Sequence, residues 1–142
     1  MPMMTGSCLC KACTFSATPK DMQAGACHCD MCRKWSGGVN IAVECTDVTW
    51  NADAPLKRFK SSAWAERMFC GTCGSNLSYH MLDAADTDQI LSFGAFDEPD
   101  KLPVTTEIFI DEKPASYDLA GISKSMTGAE VFAMYAPGGE AT

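Results

Sequence analysis

The cysteines constrain this chain more than any other feature, because eight of its nine lie in three short clusters. These clusters are GSCLCKAC at residues 6–13, CHCDMC at residues 27–32 and CGTC at residues 70–73, whereas Cys45 stands alone. An odd cysteine count in a chain long enough to bury a core argues against a disulfide scaffold, which is typical of small secreted domains. Cysteines clustered this tightly in a reducing compartment more often bind a metal, so we expect bound zinc.

The spacing of the cysteines predicts how they could share metal ions. Zinc prefers four tetrahedral ligands with zinc–sulfur bonds of about 2.3 Å, which puts two bound sulfurs about 3.8 Å apart. A tight C-x-x-C turn and an extended C-x-C segment both bring two sulfurs to one side. The middle residue of a C-x-C segment then faces elsewhere, so we expect Leu9 and His28 to point away from the metal.

Seven of the clustered cysteines divide into one set of four and one set of three. A structural zinc is normally closed by four protein ligands, whereas a catalytic zinc keeps three and an exchangeable position. The set that can close a site, called the first cluster here, is Cys8, Cys10, Cys70 and Cys73. The set that can leave a position open, called the second cluster, is Cys27, Cys29 and Cys32. The alternatives are metal-free buried cysteines, or a single zinc beside a redox-active or weakly occupied second cluster.

Composition indicates a globular protein without nucleic acid partners. Of 142 residues, 46% are apolar and 20% are charged, which indicates neither a disordered chain nor a membrane protein. The formal net charge of -7 disfavours contact with nucleic acid phosphates. Residues 1–6 lack the features of a signal peptide and no stretch is long enough to span a membrane, so we expect a cytoplasmic protein. We expect one zinc-binding domain over residues 1–142, with its core at about 5–135 and a flexible end at 136–142; the sequence predicts no oligomeric state.

Short β-forming segments separated by turn signals predict a mainly β fold with one or two short helices. The predicted strands are residues 14–17, 39–45, 48–50, 57–60, 67–69, 77–80, 90–93 and 105–110. The predicted helices are residues 31–37 and 128–134. The second helix is introduced by a possible capping box, in which Thr127 and Glu130 satisfy each other's backbone N–H groups.

Three cysteine motifs in this order resemble the glutathione-dependent formaldehyde-activating enzyme family. They are G-x-C-x-C near the start, C-H-C-x-x-C-R-K followed by S-G, and R-x-F-C-x-x-C-G-x-x-L, and a late PVTTEIFIDEKPASYD segment adds to the likeness. The resemblance covers roughly residues 5–120. Lys11 and Cys13 depart from it, since the family often has glycine and an apolar residue at these places. We therefore expect Cys13 to be a small core residue.

The resemblance implies a zinc-bearing β-tent-like fold of short antiparallel strands and a carbon–sulfur lyase activity. It also implies a structural zinc on the first cluster and a catalytic-type zinc on the second, so two Zn²⁺ sites are expected. The partners implied are a small thiol such as glutathione and an aldehyde.

The chemistry of the second cluster agrees with that activity. Three thiolates leave a bound zinc ion with a local charge of about -1, which makes it a poor generator of hydroxide. Binding a thiol and presenting it to a carbonyl suits such a site better, because the thiolate is the nucleophile. We predict an enzyme that forms or cleaves thiol–aldehyde adducts. A non-catalytic zinc-stabilised binding module is the alternative, and a thiol redox or metal-buffering protein is a third interpretation.

Several residues outside the clusters are candidates for supporting roles. Arg33, Lys34 and Trp35 directly follow Cys32 and could bind substrate, the two cations by holding a carboxylate. Solvated charges and a core aromatic are the alternatives. Further candidates are Trp64 as a cleft wall, Arg67 as a donor to thiolates and His80 as a proton carrier, although a structural or exposed His80 is favoured. Cys45 is predicted to be a buried apolar residue.

Overall fold

The computed structural model describes residues 2–135, except for the side chain of Tyr135. Ten strands and two α-helices follow one another along the chain, so the predicted mainly β fold is confirmed. The strands are β1 (Met4–Ser7), β2 (Thr14–Pro19), β3 (Ala24–Cys27), β4 (Asn40–Trp50), β5 (Leu56–Lys60), β6 (Ala65–Cys70), β7 (Asn76–Met81), β8 (Gln89–Ser92), β9 (Val104–Ile108) and β10 (Lys124–Met126). The helices are α1 (Asp30–Ser36) and α2 (Gly128–Tyr135), and short 3-10 turns lie at Phe93–Ala95, Pro99–Lys101 and Ile110–Glu112.

The chain divides into two compact units. The first unit comprises residues 1–23 and 42–103, and the second comprises residues 24–41 and 104–142. Each unit contains one of the two cysteine clusters. The single-domain organisation stays a prediction, and the predicted flexible end at 136–142 lies outside the described residues.

The first unit is built on antiparallel strands in the order β1-β2-β4-β8-β7-β6-β5. β4 lies between β2 and β8, and its Cys45 is opposite Pro19 on one side and Gln89 on the other. The core beside the first cluster contains Cys13 and Leu77, both fully buried. Phe15 adds edge-to-face ring contacts with Trp50 at 5.3 Å and Phe96 at 5.2 Å. This packing fixes the strands from which the cysteine turns project.

The second unit has a different strand arrangement. β9 pairs in parallel with both β3 and β10, whereas the resemblance implied short antiparallel strands. Parallel neighbours need a connection that returns the chain to the end of the sheet where the first strand began. Between β3 and β9 this connection contains α1 and the strands β4 to β8. Cys27 ends β3 opposite Ile108 on β9. The second cluster therefore begins where a strand ends.

The element boundaries agree with the sequence in most places and differ for local reasons. The predicted strands at 39–45 and 48–50 are one strand, β4, because Asp47 adopts a φ of 53° in a β-bulge opposite β2. The strand predicted at 105–110 ends at Ile108, since Phe109 has a φ of 56° and a 3-10 turn follows. Phe93, placed in a strand by the sequence, begins a 3-10 turn. β1, β3 and β10 were not predicted; they span three or four residues and lack a run of β-branched side chains.

Both predicted helices are present, each within one residue of the expected bounds. α1 ends before Gly37, whose φ of 78° is the left-handed conformation that favours glycine after a helix. The capping box of α2 is confirmed: Thr127 N donates to Glu130 Oε1 at 2.8 Å, and Glu130 N donates to Thr127 Oγ1 at 3.2 Å.

Candidate metal centres

The first cluster is formed by two turns of the first unit. After β1 the chain folds back on itself, so that Cys8 N donates to Cys13 O at 3.0 Å and Lys11 N to Cys8 O at 3.2 Å. Lys11 adopts a φ of 67° at this turn, in the left-handed region that favours glycine. The reversal brings Cys8 and Cys10 together, with their sulfurs 3.6 Å apart.

The second turn of the first cluster joins β6 to β7. Gly74 has a φ of 82° and donates its N–H to Cys70 O at 2.8 Å, which closes the turn around Cys73. Gly71 packs against the chain, where an added Cβ would lie 2.8 Å from Pro55 O. The backbone N–H groups of Thr72 and Cys73 donate to Cys70 Sγ at 3.3 and 3.4 Å. Glycine is thus required here for its conformation and its size.

Ser75 links the two turns of the first cluster. Its hydroxyl accepts from Leu9 N at 3.1 Å and lies 3.1 Å from Cys73 Sγ. The side-chain and backbone hydrogen bonds of Ser75 lower the pKa of the Cys73 thiol to about 5. Across the turns, Cys10 Sγ lies 3.8 Å from Cys70 Sγ. Sequence reasoning missed Ser75. Its position two residues after Cys73 was a signal that its hydroxyl could contact a cluster sulfur.

The second cluster is formed by the end of β3 and the first turn of α1. Cys29 is the N-terminal cap of α1, and its sulfur accepts from Cys32 N at 3.4 Å. Arg33 N donates to Cys29 O at 3.0 Å, which continues the helix. Hydrogen bonds with Cys29 and Cys32, followed by burial, raise the pKa of the Cys27 thiol. Crowded thiols thus oppose the ionisation of Cys27, a cost that a bound cation would offset.

His28 points away from the second cluster into a buried hydrogen-bond network, as predicted. Its side chain is fully buried, with Nε2 2.9 Å from Glu107 Oε1 and Nδ1 3.0 Å from Tyr117 Oη. Burial acts to raise the pKa of Glu107, but the hydrogen bonds from His28 and Ser125 outweigh it and lower the pKa. His28 N also donates to Ile108 O at 3.1 Å. Hydrogen bonds therefore hold both ring nitrogens and the backbone N–H of His28, which lies between Cys27 and Cys29.

Two more contacts support the same turn. Glu112 Oε1 accepts from Asp30 N at 2.9 Å, which satisfies one of the free N–H groups at the start of α1. Arg33 Nε donates to His28 O at 3.0 Å. The contacts of Glu107, Glu112 and Tyr117 thus connect the turn that contains the second cluster to β9 and to the segment that follows β9.

Both clusters fit zinc. The sulfurs within each group lie within 4.8 Å of one another. In the first cluster, the distances from Cys10 Sγ to Cys8 Sγ and to Cys70 Sγ are close to the tetrahedral spacing of about 3.8 Å. Thiolate is a soft ligand that favours zinc over magnesium or calcium. The predicted grouping of the cysteines is thus the observed one, and both groups can hold a metal ion. Zinc as that metal, and the structural and catalytic roles, stay predictions.

The sequence matches the family described as "Glutathione-dependent formaldehyde-activating enzyme" over residues 3–112. This match spans both cysteine clusters and most of the chain. The protein belongs to that family.

One relative agrees with the family membership, and one solved structure has a similar fold. A protein of Schizosaccharomyces pombe named as an uncharacterized lyase is 30% identical over 132 residues, which cover 92% of this chain and 96% of the relative. A crystal structure of a Rhodobacter sphaeroides protein has a TM-score of 0.57 at 20% identity and covers 72% of this chain and 100% of that one. The second likeness concerns the fold alone.

The candidate residues outside the two clusters of this family member lie in different environments. Cys13 and Cys45 are buried, as predicted, and burial raises the pKa of each thiol to about 12. His80 is also buried and not exposed, with Nδ1 3.0 Å from Glu66 Oε2 and Nε2 facing two backbone carbonyls. These contacts agree with a structural role, and the role of proton carrier stays a prediction. Arg67 Nε donates to Ser61 Oγ at 3.2 Å, a contact that involves no thiolate.

Other candidate roles in this formaldehyde-activating family member stay predictions. They are Trp64 as a cleft wall, Arg67 as a donor to thiolates, and Arg33, Lys34 and Trp35 as substrate contacts. Among the described residues, no helix has both the length and the apolar character that crossing a membrane requires.

Proposed function

We propose that the protein is a zinc-dependent enzyme of carbon–sulfur lyase type that forms or cleaves thiol–aldehyde adducts at the second cluster. The observation that carries the proposal is the contrast between the two clusters: four cysteine sulfurs meet in one and three in the other. A set of three protein ligands is what catalytic zinc sites use. Family membership and the lyase-named relative support an enzyme. A cytoplasmic location and two zinc ions per chain belong to the same proposal.

The second cluster would hold zinc through Cys27, Cys29 and Cys32, and the first through its four cysteines. Zinc held by these three cysteines would supply a position for an incoming thiol. His28 would not fill that position, since both of its ring nitrogens are engaged by Glu107 and Tyr117.

The proposed reaction balances without an oxidant or a reductant. The thiol S–H bond breaks and a sulfur–carbon bond forms at the aldehyde carbon, while the carbonyl π bond gives way to an O–H bond. The proton that leaves the thiol is thus the proton that the new hydroxyl gains. Cleavage of the adduct is the reverse of these steps.

Arg33, Lys34 and Trp35 are proposed to contact the substrate. Arg33 and Lys34 line a cavity in the second unit, which supports their part of the proposal. Glutathione, with two carboxylates, is a thiol that such cations could hold. Trp35 is not among the residues that line the cavity within the described chain.

The experiment that tests the proposal is exchange NMR on a mixture of glutathione and formaldehyde. The zinc-loaded protein should accelerate the interconversion of free glutathione and its S-hydroxymethyl adduct above the uncatalysed rate. Cys29→Ser should abolish the acceleration. Cys45→Ala, which alters a buried cysteine outside both clusters, is the matched control and should preserve it. A fully metal-loaded wild type that gives only the uncatalysed rate would favour the non-catalytic binding module.

A further inference from the structure

β5 is the last strand at one end of the sheet in the first unit, because β6 is the only described strand that pairs with it. The pairing runs along the whole of β5, from Leu56 opposite Cys70 to Lys60 opposite Glu66. A strand at the edge of a sheet presents N–H and C=O groups to which a further strand can bond. The side of β5 that faces away from β6, called the open edge here, can therefore accept another strand.

Two hydrogen bonds at the ends of β5 determine which of its backbone groups face the open edge. Ser61 N donates to Ala65 O at 3.2 Å, and Gly71 N donates to Pro55 O at 2.6 Å. In an antiparallel pair, residues that exchange hydrogen bonds with the partner strand alternate with residues that do not. The odd-numbered residues of β5 therefore bond to β6, and the even-numbered residues direct their N–H and C=O groups to the open edge.

The even-numbered residues of β5 are Leu56, Arg58 and Lys60. Leu56 N already donates to Ala54 O at 2.8 Å. Arg58 and Lys60 thus offer two N–H and two C=O groups, spaced by about 6.6 Å along the strand. One extended segment placed antiparallel to β5 could satisfy all of these groups.

The side chains of β5 make the open edge positive. Lys57, Arg58 and Lys60 are all exposed, although the formal net charge of the chain is -7. Arg58 forms an ion pair with Glu66 of β6. Lys57 and Lys60 have no ion pair with any residue that the structure describes. Two uncompensated cations favour an acidic partner, and they disfavour a second copy of the same strand.

Phe59 adds an apolar contact between these charges, because it is 53% exposed. Successive side chains of a strand point to opposite faces of the sheet, so Arg58 and Lys60 share one face. Phe59 lies on the other face with Lys57. A segment in which acidic and apolar residues alternate would place acidic side chains opposite Arg58 and Lys60, and an apolar side chain opposite Phe59.

We propose that the open edge of β5 binds an extended segment of another protein in which acidic and apolar residues alternate. The backbone groups of Arg58 and Lys60 hold the segment, and the alternating side chains select it, as in other complexes formed by strand addition. Lysines at a sheet edge also oppose pairing between identical chains, which agrees with a partner of different charge. The open edge belongs to the first unit, so the inference does not rest on the reaction proposed for the second cluster.

The experiment measures amide hydrogen exchange by NMR on metal-loaded protein, with and without the peptide acetyl-Glu-Val-Glu-Val-Glu-Val-amide. At a peptide concentration of about ten times its Kd, exchange at Arg58 and Lys60 should slow about tenfold, because these amides exchange only from the free protein. The amides of Lys57 and Phe59 already donate to β6, so their exchange should change much less.

Two N-methylated forms of the peptide separate strand addition from simple charge attraction. The glutamates lie opposite Arg58 and Lys60, so their N–H groups face β5, whereas the valine N–H groups face away. Methylating the glutamate nitrogens should weaken binding at least tenfold, since each lost hydrogen bond contributes about 1 kcal/mol. Methylating the valine nitrogens instead is the matched control and should preserve binding.

Two double variants test the contribution of charge. Replacing Lys57 and Lys60 together by glutamine should weaken binding about fivefold, because an exposed ion pair contributes about 0.5 kcal/mol. Replacing Lys20 and Lys101 by glutamine is the matched control, since it removes the same charge from the first unit outside β5. It should change the affinity by less than about twofold.

Four outcomes would overturn the inference. If the two N-methylated peptides bind equally, the contact is electrostatic and no strand is added. If both double variants lose affinity equally, β5 is not the surface that the peptide contacts. If exchange at Arg58 and Lys60 slows with protein concentration alone, a second copy occupies the open edge. If the peptide slows exchange at neither residue, the lysines only prevent edge-to-edge pairing.

Discussion

Replacing His28 by leucine tests whether the buried network holds the second cluster. The substitution removes a charge-assisted hydrogen bond to Glu107 at 2.9 Å and a hydrogen bond to Tyr117 at 3.0 Å. The first kind of bond contributes about 1.5–3 kcal/mol and the second about 0.5–1.5 kcal/mol. Because His28 is fully buried, water cannot replace either bond without rearrangement. We expect a loss of about 2–4 kcal/mol in the free energy of unfolding.

The assay combines denaturant midpoints at a fixed excess of zinc with chelator competition for the metal. His28→Leu should lower the midpoint and also release the metal of the second cluster to a weaker chelator. His80→Leu is the matched control, because His80 is the other histidine of the chain and is also buried against a glutamate and backbone carbonyls. It should lower the midpoint similarly and leave the affinity of the second cluster for metal unchanged.

Two results would show that His28 does not position the second cluster as described. If His28→Leu lowers stability by less than about 0.5 kcal/mol, the network does not hold the fold of the second unit. If His28→Leu and His80→Leu weaken metal binding at the second cluster equally, general destabilisation explains the loss and His28 has no positioning role.

Gly6→Ala should lower the free energy of unfolding by about 1–3 kcal/mol in denaturant titrations, because the added Cβ would collide with a backbone carbonyl and an aromatic ring. Gly94→Ala should change it by less than about 0.5 kcal/mol, since an added Cβ there meets no atom within 4 Å. Equal effects of the two substitutions would contradict the packing around Gly6. Brief alkylation of metal-free protein at neutral pH, followed by mass spectrometry, should modify Cys73 well before Cys45. Cys73 is exposed and its pKa is lowered to about 5, whereas Cys45 is buried and its pKa is raised to about 12. The reverse order would be incompatible with these environments. Histidine and arginine contacts outweigh burial and lower the pKa of Glu66, so its stabilising effect is complete above about pH 4.5 and is lost as the pH falls through the lower folded value. The difference in denaturant midpoint between wild type and Glu66→Gln should shrink over that range, and a constant difference would contradict the pKa shift.

The cysteine grouping could be predicted because short spacings determine where sulfurs point. C-x-C and C-x-x-C can bring two sulfurs together within a few residues, so the second cluster needs only residues 27–32. The four ligands that a closed zinc site needs suggested the long-range pairing of residues 8 and 10 with 70 and 73, and the resemblance implied the same pairing. The same local rule predicted that His28 would face away from the cluster.

The surroundings of the second cluster could not be predicted, since they depend on long-range contacts. His28 meets Glu107 and Tyr117 across 79 and 89 residues of sequence, and no local pattern encodes such pairs. The late segment that contains both partners contributed to the resemblance, but its sequence gave no sign of what those side chains contact. The short strands β3 and β10 were missed for a related reason: their pairing with β9, rather than their own composition, makes them strands.

The proposed function requires the second cluster to be an open metal site that takes up a thiol. A titration of Co²⁺-loaded protein with glutathione tests this directly, with metal stoichiometry and the thiolate-to-cobalt charge-transfer band followed in the same sample. We expect two metal ions per chain and a saturable increase of the band that disappears in Cys29→Ser. One metal ion per chain, or two whose band does not respond to glutathione, would show that the second cluster is not such a site.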